Sequence, residues 1–217
     1  MGSVSSDHPG IIELYGALAC GEIAAFYRLA DEARLAPHLH GRIAMARMAG
    51  SEMRHYELLH TAIRDLGREP IEVMKPYVEV LDAYHQSTLP STWPEALVKA
   101  YIGDAIAADF YLEIASAFPD DVANVVRGVL AETHHSEFVK DEVRSIVERD
   151  KKEADRLRLW ARRLFGEALT QAQHVLGQRD ELTELLLTAS GDLNHIATLF
   201  ESMQGKNDDR MKTLGLE

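Results

Sequence analysis

Apolar residues recur at steps of three and four along most of the chain, the spacing expected of helices that bury one face. No segment shows the sustained alternation of apolar and polar residues that is typical of a half-buried strand. The pattern therefore predicts an all-α protein. Long helices are expected at 11–35, 39–66, 94–117, 121–149, 152–177 and 180–204.

The connections between these segments predict how the helices are arranged. Pro37 separates the first two helices and Pro119 the next two, and both connections are short enough for antiparallel hairpins. Between the hairpins, 67–94 is rich in proline, has a short helical pattern at 73–84, and is long enough to run the length of a bundle. The predicted fold is a four-helix bundle of two antiparallel hairpins joined by a long crossover, with two additional C-terminal helices.

The same pattern predicts a single domain. We expect an N-terminal tail at 1–10, one helical domain at 11–204 and a flexible C-terminal tail at 205–217, where charged and glycine-containing sequence follows the last apolar stripe. Within the domain, the core bundle is expected at 11–149 and the additional helices at 152–204.

Two Glu-x-x-His pairs lie in predicted helices: Glu52 with His55, and Glu132 with His135. Residues three apart share a helix face, so each pair can direct a carboxylate and an imidazole toward one point. In a chain with 10 histidines and 35 acidic residues, one such pair alone would be weak evidence for a site.

The helical phase of the first pair separates it from a chance match. A third match, Glu57 with His60, lies about 140° around the same helix and should face solvent or another layer. The second pair lies on a mostly apolar face that includes Val125 and Val139. The face of the first pair is apolar except for the pair itself and comprises Met45, Met48, Glu52, His55, Leu59, Ala62 and Leu66.

Each pair has an acidic counterpart on the preceding helix. Glu22 lies 15 residues before Pro37 and Glu52 lies 15 residues after it, so an antiparallel hairpin places both acids at one level of the bundle. In the second hairpin, Asp104 precedes Glu132 by 28 residues, close to the 30 residues between the acids of the first hairpin. Asp104 is therefore the preferred acid of the third helix.

Asp109 is the substitute for Asp104, because it precedes Glu132 by 23 residues and brackets the same level from the other side. Converging carboxylates in a low-dielectric interior would repel one another and would be costly to ionise unless a cation neutralised them. Two Fe(II) ions would supply four positive charges, and Mn or Zn are substitutes because the same ligand types bind all three metals. The predicted metal ligands are Glu22, Glu52, His55, Asp104, Glu132 and His135; the predicted catalytic carboxylates are Glu22, Glu52 and Glu132.

Composition narrows the function further. A net charge of -12 argues against broad, phosphate-driven binding of nucleic acid, and the basic stretch at 149–163 is interpreted as a solvated helix face. Cys20 is the single cysteine, which excludes an internal disulfide and a cysteine metal cluster. The first residues lack a signal-peptide pattern, and no run approaches eighteen apolar residues, so the expected location is the cytoplasm and no membrane partner is expected.

The two pairs that begin at Glu52 and Glu132, with their preceding acids, resemble the ferritin-like diiron carboxylate proteins over about 11–149. Two sequence segments, YIGDAIAADFY at 101–111 and LWARRLFGEAL at 159–169, are similar to those of actinobacterial proteins labelled MiaE-like. This resemblance implies a ferritin-like fold and ligand roles for the six residues named above. It also implies an oxygen-dependent hydroxylase, since the namesake family hydroxylates a modified adenosine in tRNA.

The expected function is thus a diiron hydroxylase or monooxygenase that acts on a modified tRNA nucleoside or another organic substrate. Dioxygen and an external reductase are the expected partners, because the chain has no flavin or nicotinamide fingerprint, and the additional helices favour a homodimer. Two alternatives stay open: an iron-handling or peroxide-scavenging protein, and a metal-free helical interaction protein. A channel beside the metals that is wide enough for an organic group would favour hydroxylation.

Overall fold

The computed structural model describes residues 4–115, 117–130, 136–191 and 193–217, with the backbone alone at 104, 113–114, 136 and 193–197. Throughout these ranges the regular secondary structure is helical, which confirms the all-α prediction. The α-helices are α1 (Gly10–Glu32), α2 (Leu39–Asp65), α3 (Pro70–Met74), α4 (Val78–Ser87), α5 (Trp93–Ala115), α6 (Asp120–Val129), α7 (Ser136–Arg149), α8 (Lys151–Gln178), α9 (Asp180–Ser190) and α10 (Leu193–Leu214).

The first hairpin consists of α1 and α2, which pack along each other. After α1 a 3-10 turn leads to Ala36, whose extended backbone (φ -63°, ψ 127°) is the conformation favoured before a proline. His38 then caps α2, because its Nδ1 accepts a hydrogen bond from the Gly41 amide at 2.9 Å. The two helices bury residues such as Leu14 and Leu59 completely, so the hairpin forms one side of the core.

The crossover between the hairpins is built from α3, a 3-10 turn at Lys75–Tyr77, and α4. It lies so close to α1 that a Cβ atom at Gly16 would be 2.5 Å from the Val73 carbonyl oxygen, so this contact requires glycine. Buried Tyr77 donates a hydrogen bond to Glu13, which also accepts one from Arg179 Nε at 2.9 Å. These hydrogen bonds connect the crossover to α1 and to Arg179, the residue between α8 and α9.

The second hairpin differs in detail from the predicted pair of long helices. The segment predicted as one helix at 121–149 forms α6 and α7, and α6 ends where Leu130 leaves the helical region at φ -93° and ψ 10°. Residues 131–135 lie outside the described residues. Both helices pack on α5, so they present apolar residues to the same side, which explains why periodicity alone did not reveal the end of α6.

Three helices, rather than two, follow the bundle in the described structure. Asp150 caps α8 by accepting hydrogen bonds from the amides of Lys152 and Glu153 at 2.9 and 3.2 Å, and α8 packs on α4, α5 and α7. The helix predicted at 180–204 is interrupted because Gly191 adopts a positive φ of 90°. The shorter α9 packs on α1, and α10 packs on α5 and α7.

Both chain ends differ from the predicted tails. Val4 is buried, and its amide donates a hydrogen bond to the Ala117 carbonyl at 3.2 Å. At the other end α10 extends to Leu214, and Met203, Leu214 and Leu216 are buried. The sequence analysis predicted a flexible tail from 205 because the apolar residues of this segment are widely spaced among charged ones.

The segment Gly10–Leu35 is long and apolar enough to cross a membrane by length and composition, with a mean hydropathy of 1.3 over its most apolar window. Half of that window is buried inside the protein, where α1 packs against α2, α3, α4 and α9. It also buries three charged side chains, Glu22, Arg28 and Glu32. The core helices of soluble bundles can be equally long and apolar, so the packing of α1 in the core explains its high hydropathy.

His85 on α4 makes stability depend on pH. Burial lowers the pKa of His85 to about 3, and the charges of Arg28 and Lys99 act in the same direction. The unfolded chain takes up this proton near pH 6.5, so below that pH the unfolded state binds more protons and the free energy of unfolding falls. We expect this contribution to approach about 1.4 kcal/mol per pH unit as the pH drops below 6.

Urea denaturation of the wild-type protein and of His85→Gln between pH 7 and pH 5 measures this effect. The free energy of unfolding of the variant should fall less steeply with decreasing pH than that of the wild type. Parallel slopes in the two proteins would contradict the burial of a neutral imidazole at this position.

Candidate metal centre

The structure brings Glu22, Glu52 and His55 together on the inner side of the first hairpin. One ligand atom from each lies within 4.8 Å of the others. His55 Nδ1 is 3.3 Å from a Glu22 carboxylate oxygen and 3.5 Å from a Glu52 carboxylate oxygen. The two helices thus meet at the level that equal spacing from Pro37 predicted, while the role of these side chains as ligands stays a prediction.

The close packing and burial of Glu22, Glu52 and His55 shift the pKa values of all three side chains. Burial raises the pKa of Glu22 well above its ordinary value, and the neighbouring Glu52 adds to this, while His55 opposes it. Burial also opposes ionisation of Glu52, but hydrogen bonds with His55 and Glu22 lower the pKa of Glu52 overall. Burial disfavours the charged form of His55, yet the two carboxylates raise its pKa to about 9.

These pKa directions provide a test of whether a cation fits. Burial opposes the ionisation of Glu22, and the two carboxylates favour the protonated form of His55, so a positive charge next to the carboxylates stabilises the cluster. A divalent cation could supply this charge in place of protons and would gain two carboxylate oxygens and an imidazole nitrogen. The donor set of Glu22, Glu52 and His55 therefore fits a divalent metal ion.

The other half of the predicted centre cannot be placed beside this cluster. Glu132 and His135 lie outside the described residues, and Asp104 lies on α5 without a described side chain. The sequence spacing still assigns these three residues to the second hairpin, so their ligand roles stay predictions.

Asp109, the substitute ligand, is engaged elsewhere. Its buried carboxylate forms a two-pronged contact with Arg210 of α10, in which Nη2 donates at 2.9 Å, and Lys206 approaches to 3.9 Å. A carboxylate already neutralised by a guanidinium is a poor candidate for a metal ligand. The choice of Asp109 as a substitute is therefore not supported, and Asp104 is left as the acid of the third helix.

This assignment predicts different effects for the two aspartates. Asp109→Asn should retain the wild-type metal content, because it changes a contact between α5 and α10, whereas Asp104→Asn should lower the metal content. Metal analysis of both purified variants beside the wild type measures the difference. If Asp109→Asn alone lost metal, the ligand assignment on the third helix would be reversed.

The rejected pair behaves as its helical phase predicted. Glu57 is exposed, and its backbone carbonyl accepts a hydrogen bond from Thr61. His60 lies against the ring of Tyr56, with ring centres 5.8 Å apart. Neither side chain belongs to the described cluster of potential ligands, so Glu57 and His60 provide matched control positions on the same helix as the candidate ligands.

A cavity of about 490 Å³ opens beside the cluster. Glu22, Glu52 and His55 form part of its wall, which also contains apolar and aromatic residues and further charged residues from α1, α5, α7 and α10. Tyr111 lies in this wall, and burial together with the charge of Glu22 raises its pKa to about 12, which keeps the phenol protonated. The volume is within the range of sites that hold small organic molecules.

A second charged cluster, which the sequence reasoning missed, lies beside the cavity. Arg28 Nη1 is 3.1 Å from one oxygen of Glu32, and Lys99 Nζ is 3.7 Å from the other. Lys99 also donates a hydrogen bond to the Thr88 carbonyl at 2.7 Å. Burial raises the pKa of Glu32 although Arg28 and Lys99 oppose the shift. The available signal was that Glu32 continues the inward face of α1 that contains Glu22 and Leu29.

The fold and the cluster define a helical bundle with a carboxylate and histidine site of the kind that binds metal. The family comparison agrees: the model of a family described as ferritin-like domain, actinomycetes, matches residues 7–189. The chain therefore belongs to this ferritin-like family. A comparison with curated proteins gave no match.

Proposed function

We propose that the protein is a non-haem diiron hydroxylase that uses dioxygen to oxidise an organic substrate. The observation that carries this proposal is that the cluster of Glu22, Glu52 and His55 opens onto a cavity of about 490 Å³. A protein that only stores iron or removes peroxide needs such ligands but no space for an organic group. The resemblance of 101–111 and 159–169 to MiaE-like proteins supports the same function.

The residues of the chain have distinct tasks in this proposal. Glu22 and Glu52, with Glu132 from the second hairpin, neutralise and orient the metals, while His55 contributes a nitrogen to one of them. When bound, iron supplies the reaction with dioxygen that no amino-acid side chain provides. Tyr111 and the apolar side chains of the wall would hold the substrate next to the cluster.

The identity of the substrate is open to two readings, tRNA and a small molecule. Along the basic stretch, Arg156 contacts Glu153 at 3.1 Å and Glu95 at 3.4 Å, and Arg158 contacts Asp155 at 2.6 Å. These contacts reduce the positive charge available to phosphates and support a small organic substrate over tRNA. An external reductase and a homodimer complete the proposal.

Metal content and oxygen chemistry test this function together. We expect freshly purified protein to hold about two metal ions per chain, and the iron-loaded protein with a chemical reductant to transfer one atom of labelled dioxygen to an organic product. Bulk tRNA and small organic acids serve as alternative substrates, and mass spectrometry detects the label. An iron-loaded protein that accumulates ferric iron without labelling any substrate would instead support iron handling.

A further inference from the structure

We propose that Gly21 limits the size of the organic molecules that the cavity accepts, because the apolar body of the substrate occupies the space that a side chain at this position would fill. The inference deepens the proposed function and rests on it, since it assigns a specificity-determining residue to the same site. The observations that carry it are the position of Gly21 in a helix, the space around it and its place in the cavity wall.

Gly21 lies in the middle of α1, where glycine is an unfavourable choice. A glycine in a helix interior is less stable than an alanine, because it loses more conformational freedom on folding. Among the described residues, a positive φ occurs at Gly67, Gly191 and Gly215, whereas Gly21 is helical. The backbone conformation of Gly21 therefore does not require glycine.

Close packing explains the other two glycines of α1 but not Gly21. A Cβ atom at Gly10 would be 2.4 Å from the Glu181 carbonyl oxygen, and one at Gly16 would be 2.5 Å from the Val73 carbonyl oxygen. A Cβ atom at Gly21 would meet no heavy atom of the described residues within 4 Å. The described packing thus leaves open space at Gly21.

This open space belongs to the cavity beside the candidate metal ligands. Gly21 lines the cavity of about 490 Å³ together with Ala17, Leu18 and Ala25 of the same helix. Residues three and four apart share a helix face, so these apolar side chains flank the gap at Gly21. Glu22 follows directly and belongs to the candidate ligand cluster. A molecule that rests on Gly21 therefore lies next to the metal ligands.

The second hairpin repeats this order of residues. Gly103 precedes Asp104 on α5 as Gly21 precedes Glu22 on α1, and Gly103 also lines the cavity. A Cβ atom at Gly103 would lie 3.6 Å from the Tyr84 hydroxyl oxygen, so neighbouring atoms already limit the space there. Of these two positions, Gly21 is the one at which a side chain would enter open space.

The surroundings of Gly21 favour an apolar part of the substrate. Backbone amides and carbonyls in the middle of a helix bond to each other, so the exposed backbone at Gly21 offers few free hydrogen-bonding groups. The flanking side chains of Ala17, Leu18 and Ala25 are apolar. An apolar ring system gains free energy when it leaves water for such a surface. The expected substrate places a ring system on Gly21 and its polar group elsewhere.

Two probes with the same amide group but bodies of different size test the assignment: acetanilide, which has a single ring, and its naphthyl analogue, which has a fused pair of rings. Equilibrium dialysis with the full-length, metal-loaded protein gives both affinities. In Gly21→Leu the affinity for the naphthyl probe should fall at least about tenfold relative to that for acetanilide, since overpacking a filled site has a cost of this size. A wild-type protein that binds neither probe, or an unchanged preference in Gly21→Leu, would overturn the proposal.

Gly21→Ala separates a role in binding from a role in packing. Alanine is the better helix former and would meet open space, so the melting temperature should rise by about 2 °C. The relative affinity for the naphthyl probe should fall in the same direction as in Gly21→Leu, and this shift decides the matter if Gly21→Leu does not fold. A lower melting temperature would show that Gly21 is packed against other residues, and it would overturn the proposal.

Gly166 on α8 provides the matched control. It is exposed, a Cβ atom there would also meet no heavy atom of the described residues within 4 Å, and it lies outside the described lining of the cavity. Gly166→Ala should raise the melting temperature as Gly21→Ala does, and Gly166→Leu should keep the wild-type preference between the probes. Equal shifts of this preference in the leucine variants at both positions would overturn the proposal.

Metal analysis of the same samples separates this proposal from the proposed function. If the wild-type protein binds metal but Gly21→Leu leaves the preference between the probes unchanged, only the role of Gly21 fails. If the wild-type protein binds no metal and Gly21→Leu still excludes the larger probe, the diiron hydroxylase fails and the size limit at Gly21 stands.

Discussion

Glu52→Gln and His55→Gln are each expected to lower metal affinity by at least about 100-fold, since even the partners that orient a ligand contribute about 10- to 100-fold. Both side chains belong to the described cluster whose ligand atoms lie within 4.8 Å of one another. Removing one donor also disturbs the balance between buried charges that the metal would neutralise. Metal content per chain after dialysis, followed by titration with Fe(II) under anaerobic conditions, measures the loss.

Glu57→Gln and His60→Gln are the matched controls for these variants. They make the same chemical changes five residues further along α2, and their side chains lie outside the described cluster. Both should bind metal as the wild type does. Similar metal loss in candidate and control variants, or none in either, would reject the metal centre on the first hairpin and favour a metal-free bundle.

Glu32→Gln is expected to reduce the free energy of unfolding by about 3 to 5 kcal/mol. The substitution leaves Arg28 and Lys99 buried without the carboxylate that now lies 3.1 and 3.7 Å from them. Because Gln has nearly the same shape as Glu, the loss reports charge rather than packing. Urea denaturation at neutral pH, in which both variant and wild type are measured in the metal-free form, determines the difference.

Asp31→Asn provides the control on the adjacent residue. Asp31 pairs with Arg34 at 2.8 Å, but these side chains are 74% and 78% exposed. Exposed ion pairs contribute about 0 to 1 kcal/mol, so this variant should remain close to the wild type in stability. A loss of similar size in both variants would show that the buried position of Glu32 has no special energetic role.

The sequence predicted the parts of the fold that depend on periodicity and on proline. The first hairpin and the crossover follow from the apolar stripes around Glu22 and Glu52 and from Pro37. The end of α6 was not predictable in this way, since Leu130 leaves the helical region without a proline or a glycine at that residue. At Gly191 the signal was present, but a glycine inside an apolar pattern does not by itself end a helix.

For the candidate site, too, local sequence patterns predicted the positions of side chains on one helix but not their contacts with distant helices. Helical phase separated His55 from His60 because both lie on one helix and differ only in direction. The partner of Asp109 could not be predicted, because Arg210 is 101 residues away in the sequence. Which acids converge on a site and which are neutralised by a distant cation depends on tertiary packing.

The contact between Arg210 and Asp109 shows that the cavity extends beyond the first nine helices. Residues 7–189 match the ferritin-like family, whereas Arg210 lies beyond that match and still lines the cavity. One wall of the cavity therefore comes from α10, outside the matched region. A substitution at Arg210 would change the shape and charge of the cavity without touching Glu22, Glu52 or His55.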